Sequence, residues 1–272
     1  MTGSFPRPGA DPFTERTPRV VAARKLTRRA ERDKTGRFLA EGVNAVEAAL
    51  ASGTVYELFV TERAAAAHAK LVSAAADSGV AVSLITDRAA DGLSETVTPQ
   101  GIVAVCALVD RPLATVLAGA RLVVVLVDVA EPGNAGTVMR VADAAGADAV
   151  ILAGDTVDPH NGKSVRAAAG STFHVPLARE RDTSAVLSAL REAGLRTLAA
   201  HGYASLSLDE VTFDEPTAWI FGNEAHGLSE TVLSAADEAV RIPLYGKAES
   251  LNLATAAAVC VYTSAMAAHR AR

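Results

Sequence analysis

The sequence is poor in the residues that build redox centres, metal clusters and aromatic cores. Its 272 residues include two cysteines and one tryptophan, and aromatic side chains make up only 4%. Cys106 and Cys260 lie inside apolar segments, which is typical of reduced, buried thiols in the cytoplasm. The histidines are scattered, so we predict no metal site. Alanine, valine and leucine must therefore supply most of the core.

Long hydrophobic runs are also missing. No apolar stretch reaches membrane-spanning length without a charge or a turn, and the first residues lack the apolar core of a secretory signal. These absences argue against a membrane partner. The length exceeds that of one average domain and suggests two.

Positive charge is concentrated near the N-terminus, although the net charge of the chain is −5. Residues 16–37 contain nine Lys or Arg against Glu31 and Asp33, so this segment carries +7 and the rest of the chain −12. Local basic patches, rather than total charge, supply affinity for phosphates. We predict that this segment contacts nucleic acid through Arg28, Arg29 and Arg37. The alternative is a solvated, partly disordered basic arm.

Hydrophobic patterning predicts two α/β regions. Residues 1–18 are rich in proline and are predicted to be a disordered leader, and residues 19–110 to form a basic helix followed by a small α/β domain. Residues 120–272 alternate strands and helices more regularly, with predicted strands at 122–129, 149–153, 173–177, 196–200, 218–222 and 240–244. Continuous Val and Leu runs favour strands buried on both faces of a parallel sheet.

Three turns in the C-terminal half combine glycine or proline with polar side chains directly after apolar runs. They are Asn134-Ala-Gly-Thr-Val-Met-Arg140, Phe221-Gly-Asn-Glu-Ala-His-Gly-Leu228, and Ile242-Pro243 followed by Ser250-Leu251-Asn252. Such turns build ligand sites at the strand ends of α/β sheets. The first turn does not match the dinucleotide motif G-x-G-x-x-G, so a nicotinamide cofactor is disfavoured.

These motifs resemble those of the SpoU-type RNA 2′-O-methyltransferases of the SPOUT superfamily, N-x-G-x-x-x-R, F-G-N-E-x-x-G-L and I-P…S-L-N. Ser164-Val-Arg166-Ala-Ala-Ala-Gly-Ser171 also resembles the family's R-A-S-x-G segment, with Ala168 where serine is usual. The resemblance implies an α/β fold whose C-terminal parallel-sheet methyltransferase domain holds a deep trefoil knot, preceded by a small α/β RNA-binding domain. It also implies S-adenosyl-L-methionine as cofactor and a homodimer.

The resemblance further assigns roles to individual residues. The cofactor is expected against Gly222, Ile242 and Leu251. Independently of the resemblance, Leu198, Ala199 and Ala200 close an apolar strand and are expected to add another wall of the pocket. The catalytic set is expected to be Asn134, Arg140, Glu224, Ser250 and Asn252, with Arg166 contacting an RNA phosphate.

Arg140 is the expected centre of the reaction. A helix that begins near Asn134 is expected to bring Arg140 towards the same cleft. The family proposal is that this arginine activates the ribose hydroxyl. Because a guanidinium stays protonated, gripping a phosphate and stabilising the developing alkoxide is the alternative role.

The sequence thus predicts methylation of the ribose 2′-oxygen in structured RNA, with large-subunit ribosomal RNA as the expected substrate. A transfer RNA substrate and a non-catalytic RNA-binding or ribosome-assembly factor are the alternatives.

Overall fold

The computed structural model describes residues 11–270, which form two compact units. The first unit contains the chain up to Val109 together with His160–His174, and the second contains Asp110–Pro159 and the chain from Val175. The predicted ranges 19–110 and 120–272 are therefore too simple, because a segment from the middle of the second range packs with the first unit.

The N-terminal unit is built on a four-stranded mixed sheet. Its strands are β1 (Arg37–Glu41), β2 (Val55–Val60), β3 (Ala81–Leu84) and β4 (Ile102–Ala107), in the order β1-β4-β2-β3. Only β2 and β3 run parallel. The helices are α1 (Pro18–Lys25), α2 (Arg29–Thr35), α3 (Val43–Ala51), α4 (Glu62–Ala67), α5 (Ala69–Asp77) and α6 (Asp87–Leu93).

The basic segment forms two helices rather than one. Arg32 is only 3% exposed, and its guanidinium donates to the carbonyl oxygens of Leu26 and Thr27, both at 2.9 Å. These bonds satisfy acceptors at the end of α1 and hold the turn into α2. One of the nine basic side chains is therefore structural.

The predicted disorder of residues 1–18 lies partly outside the described residues and is wrong for the rest. The backbone N–H of Phe13 donates to the carbonyl of Leu84 at 2.8 Å, and its carbonyl accepts from Thr86 at 2.9 Å. Helix α1 then begins at Pro18, a residue suited to a first helical turn because its missing N–H has no intrahelical role there. Phe13 thus ties residues 11–18 to the edge strand β3.

The C-terminal unit is a seven-stranded parallel sheet. The strands are β5 (Leu122–Val127), β6 (Ala149–Ala153), β7 (Leu177–Glu180), β8 (Arg196–Ala200), β9 (Leu206–Ser207), β10 (Thr217–Phe221) and β11 (Glu238–Arg241), in the order β7-β6-β5-β10-β8-β11-β9. Every paired strand runs parallel to its neighbour. The helices of this unit are α7 (Leu113–Leu117), α8 (Pro132–Ala144), α10 (Thr183–Glu192), α11 (Glu230–Ala235) and α12 (Leu253–Arg270), whereas α9 (Gly162–Ala168) belongs to the N-terminal unit.

The predicted strand at 173–177 is wrong. A 3₁₀ turn occupies Ser171–Phe173, and β7 begins only at Leu177, directly after Pro176. Proline has no N–H to donate to a neighbouring strand, so the ladder begins beyond it. The carbonyl of Pro176 still accepts from Val150 at 3.0 Å.

The apolar strands predicted for this half are confirmed as the centre of the sheet. Val123, Val125, Ile151 and Ile220 are fully buried, as continuous Val and Leu runs in a parallel sheet require. The trefoil knot implied by the resemblance stays a prediction. Among residues 11–270, no helix is long and apolar enough to cross a bilayer.

Candidate active site

A cavity of about 670 Å³ opens at the carboxyl ends of β8, β10 and β11. Its wall comes from the turns that follow these strands and from the start of α12. The lining residues include Asn134, Ala200, Gly222, Glu224, Ile242, Ser250, Leu251 and Asn252. This location is the usual ligand site of open parallel sheets, and the volume suits a small molecule.

The three polar turns converge at this cavity. The carboxylate of Glu224 accepts from Asn134 Nδ2 at 2.9 Å and from the backbone N–H groups of Ala130 at 3.1 Å and Glu131 at 3.2 Å. Asn134 in turn accepts from Asn252 Nδ2 at 3.1 Å. Segments that are far apart in the sequence are therefore connected by side-chain hydrogen bonds.

These hydrogen bonds also set the ionisation of Glu224. Partial burial raises the pKa of its carboxyl, but the bonds from Asn134, Ala130 and Glu131 outweigh burial and hold the pKa below its usual value. Glu224 is thus a carboxylate at neutral pH whose oxygens already accept three N–H donors. It positions Asn134 and the start of α8, and it is a poor proton acceptor for a substrate.

Close backbone packing shapes the turn that carries Glu224. A Cβ at Gly222 would lie 2.6 Å from the backbone nitrogen of Leu228 and closer still to the backbone of Gly227. Asn223 closes the same turn, since its Oδ1 accepts from the N–H of Ala225 at 2.8 Å. Its Nδ2 donates at 2.7 Å to the carbonyl of Asp128, which follows β5. Glycine at 222 is therefore required sterically.

Four of the six residues predicted to contact the cofactor line the cavity, and two do not. Ala200, Gly222, Ile242 and Leu251 line it. Leu198 and Ala199 are absent from its lining and fully buried within β8. Only the last residue of that strand reaches the open end of the sheet, which is why the neighbouring residues pack into the core instead.

Arg140 does not line the cavity in the single chain. It is exposed on α8 and makes no hydrogen bond or ion pair with any described residue. The expectation that Asn134 and Arg140 share one cleft overlooked helix periodicity. Six residues at about 100° each place the two side chains about 120° apart around the axis. The catalytic role of Arg140 stays a prediction.

The predicted RNA-contacting arginines differ in availability. Arg28 is exposed, and Arg29 is exposed with a loose ion pair of 3.7 Å to Asp33. The Arg37 guanidinium lies 4.2 Å from the centre of the Tyr56 ring. Arg166, by contrast, pairs with the buried Glu41 carboxylate at 3.0 Å inside the N-terminal unit. A phosphate contact by Arg166 would have to compete with that pair.

Several cavity residues escaped the sequence analysis. His201, Gly202 and Arg241 line the cavity because they directly follow or end β8 and β11. Asn223, which joins two turns, was quoted within its motif but given no role. For His201, Gly202 and Asn223 the available signal was a position after a predicted strand, whereas Arg241 fell inside the strand predicted at 240–244. No group of three or more His, Cys, Asp or Glu in residues 11–270 is arranged to hold a metal ion.

Comparison with known proteins identifies both halves of the chain. Residues 121–262 match the model of the SpoU rRNA methylase family, and residues 17–104 match that of the MRM3-like substrate binding domain. A 23S rRNA (guanosine(2553)-2′-O)-methyltransferase, RlmP of Bacillus subtilis, is 39% identical over 88% of this chain and 92% of its own length. A 23S rRNA (guanosine-2′-O-)-methyltransferase, RlmB of Bordetella pertussis, is 34% identical over 64% of this chain and 73% of its own length.

Solved structures agree with these matches. The AdoMet-bound rRNA methyltransferase of Sinorhizobium meliloti superposes with a TM-score of 0.83 and 31% identity, covering 93% of this chain and 97% of its own. The fold and the strand-end cavity define an α/β methyltransferase with an attached substrate-binding domain. The chain belongs to the SpoU rRNA methylase family.

Proposed function

We propose that the protein transfers the methyl group of S-adenosyl-L-methionine to the 2′-hydroxyl of a guanosine in 23S ribosomal RNA. The observation that carries this proposal is the hydrogen-bonded convergence of Glu224, Asn134 and Asn252 beside a strand-end cavity. Further support comes from the relatives of Bacillus subtilis and Bordetella pertussis, both named as 23S rRNA guanosine 2′-O-methyltransferases.

The cavity fits the proposed cofactor. Backbone groups of Gly222, Ile242 and Leu251 are available at its wall, and a side chain at 222 is sterically excluded. A flat adenine ring can pack closely against main-chain groups, which orient it through hydrogen bonds. When bound there, S-adenosyl-L-methionine supplies an electrophilic methyl group on a sulfonium. Two neighbours of similar fold, the Sinorhizobium meliloti enzyme and AviRb of Streptomyces viridochromogenes, are described with AdoMet bound.

The residues of the chain orient the reactants. In the proposed reaction the ribose oxygen would bond to the methyl carbon as the sulfur–carbon bond breaks, and the hydroxyl proton would pass to solvent water. The Asn134 amide is held rigidly between Glu224 and Asn252, so it can present its remaining N–H to the nucleotide in a fixed direction. Ser250 lines the cavity and is proposed to contact the substrate as well.

Arg140 is proposed to bind the phosphate next to the target ribose and stabilise the developing alkoxide. Its exposure and lack of a partner within the described chain leave the guanidinium available. Because Arg140 is exposed and does not line the cavity of its own chain, we propose that it acts at the cavity of a second copy. That arrangement requires a homodimer.

An exposed apolar stripe supports the homodimer. Val259, Tyr262 and Met266 on α12 are 38%, 38% and 53% exposed, and their spacing places them on one helix face. Helix α12 also packs against α8, which carries Arg140. Sedimentation at micromolar concentration is expected to show a dimer, and a monomer would contradict it.

Since both cysteines are free and buried, we further propose that the protein works in the reducing cytoplasm.

The alternatives have weaker support. A neighbour concerned with 2-OH methylation of C/U34 on tRNA covers 55% of this chain, whereas ribosomal RNA relatives such as the Bacillus subtilis enzyme extend over most of it. A non-catalytic factor would not need the bonded set of Glu224, Asn134 and Asn252.

Mapping ribose methylation tests the proposal. Ribosomal and transfer RNA are compared from cells with and without the gene, and purified protein is then added to the unmethylated RNA with labelled cofactor. We expect one 23S guanosine to lose its methyl group in the deletion and regain it in vitro. A change confined to transfer RNA, or none at all, would refute the proposal.

A further inference from the structure

Two tyrosines next to the cavity are almost completely exposed. Tyr203 is 93% exposed and Tyr245 is 92% exposed, and neither makes a hydrogen bond or ion pair with a described residue. Each lies beside residues that line the cavity: Tyr203 follows His201 and Gly202, and Tyr245 follows Pro243 and Leu244. Both rings therefore stand on loops whose neighbouring residues line the proposed active site, although neither tyrosine is itself part of the lining.

This exposure is unusual for a chain so poor in aromatic residues. The sequence contains only four tyrosines, seven phenylalanines and one tryptophan. The large rings of Trp219, Phe38, Phe59 and Phe221 are fully buried. The other two tyrosines are less exposed, at 50% for Tyr56 and 38% for Tyr262. Half of all the tyrosines thus lie uncovered beside one cavity, where they add nothing to the core.

We infer that Tyr203 and Tyr245 stack on unpaired bases of the RNA at the cavity mouth and so position the target nucleotide. The inference rests on the proposed function. An unstacked nucleotide can bring its ribose oxygen deeper into a recessed cavity than a nucleotide held in a helical stack. Exposed bases are recognised by stacking on aromatic side chains.

Neighbouring charges fit an RNA occupant. Lys247 is exposed on the loop of Tyr245, and Arg241 lines the cavity at the end of β11. The opposing carboxylates are Asp209, whose pKa the Arg241 charge helps to lower, Glu249, which also lines the cavity, and Glu224, whose oxygens accept from Asn134 and two backbone N–H groups. Cationic groups are thus available for the phosphates on either side of a stacked base.

The test compares Tyr→Ala, Tyr→Phe and Tyr→Leu at each position. The readouts are RNA affinity by filter binding, KM and kcat with unmethylated ribosomal RNA, and cofactor affinity by calorimetry. We expect each Ala variant to weaken RNA binding and raise KM about tenfold, as loss of one stacked base implies. Phenylalanine should restore both within about twofold and leucine should not, while cofactor affinity stays unchanged.

Four results would overturn the inference. The first is that both Ala variants keep wild-type RNA affinity and KM, and the second is that leucine restores them as well as phenylalanine does. The third is that the Ala variants lose cofactor affinity in parallel with RNA affinity, and the fourth is that the dimer dissociates. The third would place the rings against the adenosyl group, and the fourth at a subunit contact. A wild-type protein that binds ribosomal RNA without methylating it would refute the proposed function, while the affinity comparison would still decide the stacking.

Discussion

Asn252 donates a hydrogen bond of 3.1 Å from its Nδ2 to Oδ1 of Asn134, although 118 residues separate them. The Oδ1 of Asn252 has a different task, since it accepts from the N–H groups of Ala254 at 2.9 Å and Thr255 at 3.3 Å at the start of α12. The oxygen of this amide thus caps a helix, and its nitrogen holds the cavity-lining Asn134 in place.

The two tasks of Asn252 can be separated by substitution. Asn252→Asp keeps an acceptor for the helix cap, which suits the positive end of the helix, but loses the donor to Asn134. We expect near wild-type stability with at least a tenfold loss of kcat. Asn252→Ala should lose about 1 kcal/mol of unfolding free energy in addition. Thermal denaturation and methyl transfer measure the two effects, and full activity of Asn252→Asp would show that the link to Asn134 is dispensable.

Glu224→Gln should weaken the site in a pH-dependent way. The folded state lowers the pKa of Glu224, so its carboxylate stabilises the protein above the usual value of 4.5 and stops doing so as the pH falls through the folded-state pKa. We expect wild type to exceed Glu224→Gln in unfolding free energy by about 1 kcal/mol at pH 7, because the group is largely exposed. Denaturant unfolding from pH 7 to pH 3 should show this difference shrinking towards acid.

Asp237→Asn is the matched control for Glu224. The backbone and side chain of Thr197 donate to Asp237 and lower its pKa, so the same acid-dependent loss of stability is expected. Asp237 does not line the cavity, and this variant should keep its methyl-transfer activity. Equal activity of the Glu224 and Asp237 variants would argue against a special role for Glu224.

Gly222→Ala is expected to disrupt the site through sterics alone. The new methyl group would overlap the backbone of Gly227 and lie 2.6 Å from the nitrogen of Leu228. Relieving that overlap should cost about 1–3 kcal/mol and displace the turn of Glu224. Gly246→Ala is the control, because no atom lies within 4 Å of its added Cβ. Thermal shift and cofactor calorimetry should detect losses in the first variant only.

Arg140→Ala should abolish turnover while leaving cofactor affinity nearly unchanged. The side chain is exposed and has no partner to lose within the described chain, so stability should stay within about 0.5 kcal/mol. Single-turnover assays with saturating RNA are expected to show at least a 100-fold loss. Arg140→Lys retains the charge without the bidentate geometry and should be intermediate. Activity within a few-fold of wild type would remove Arg140 from the catalytic set.

The basic segment should make RNA binding sensitive to salt. Arg28 and Arg29 are exposed, and replacing both by alanine should weaken binding and reduce the slope of log affinity against log salt by about one to two. Arg32→Ala is a contrasting variant, since its buried side chain holds two carbonyls and its loss should lower stability first. An unchanged salt slope in the double variant would leave the arm without a role in phosphate binding.

The sequence predicted the parts of the fold that local patterning controls. Strands at 149–153 and 196–200 have the expected bounds, because a continuous apolar run between turns defines a buried parallel strand. Strand β1 was not identified as a strand, and β7 was placed too early. Pairing of β1 with β4 is a long-range event, which the alternation of Phe38 and its neighbours did not reveal.

Fewer features of the candidate site than of the fold could be predicted from the sequence. The motif resemblance put Asn134, Glu224 and Asn252 into one expected site. Hydrogen bonds join the three side chains in the structure, and their catalytic roles stay predictions. The resemblance did not show that Arg140 is absent from the cavity lining, that Arg166 pairs with Glu41, or that Leu198 is buried. Those outcomes depend on helix rotation, on packing within the N-terminal unit and on where a strand ends.

Residues 160–174 leave the parallel sheet after β6, pack with the N-terminal unit and return before β7. The polypeptide therefore passes between the two units three times rather than once. A fragment that ends at residue 110 would lack two side chains that the N-terminal unit needs. These are Val165, which belongs to its apolar core, and Arg166, whose guanidinium neutralises Glu41. Any chimera that exchanges the N-terminal unit among relatives must transplant two separate stretches of sequence together.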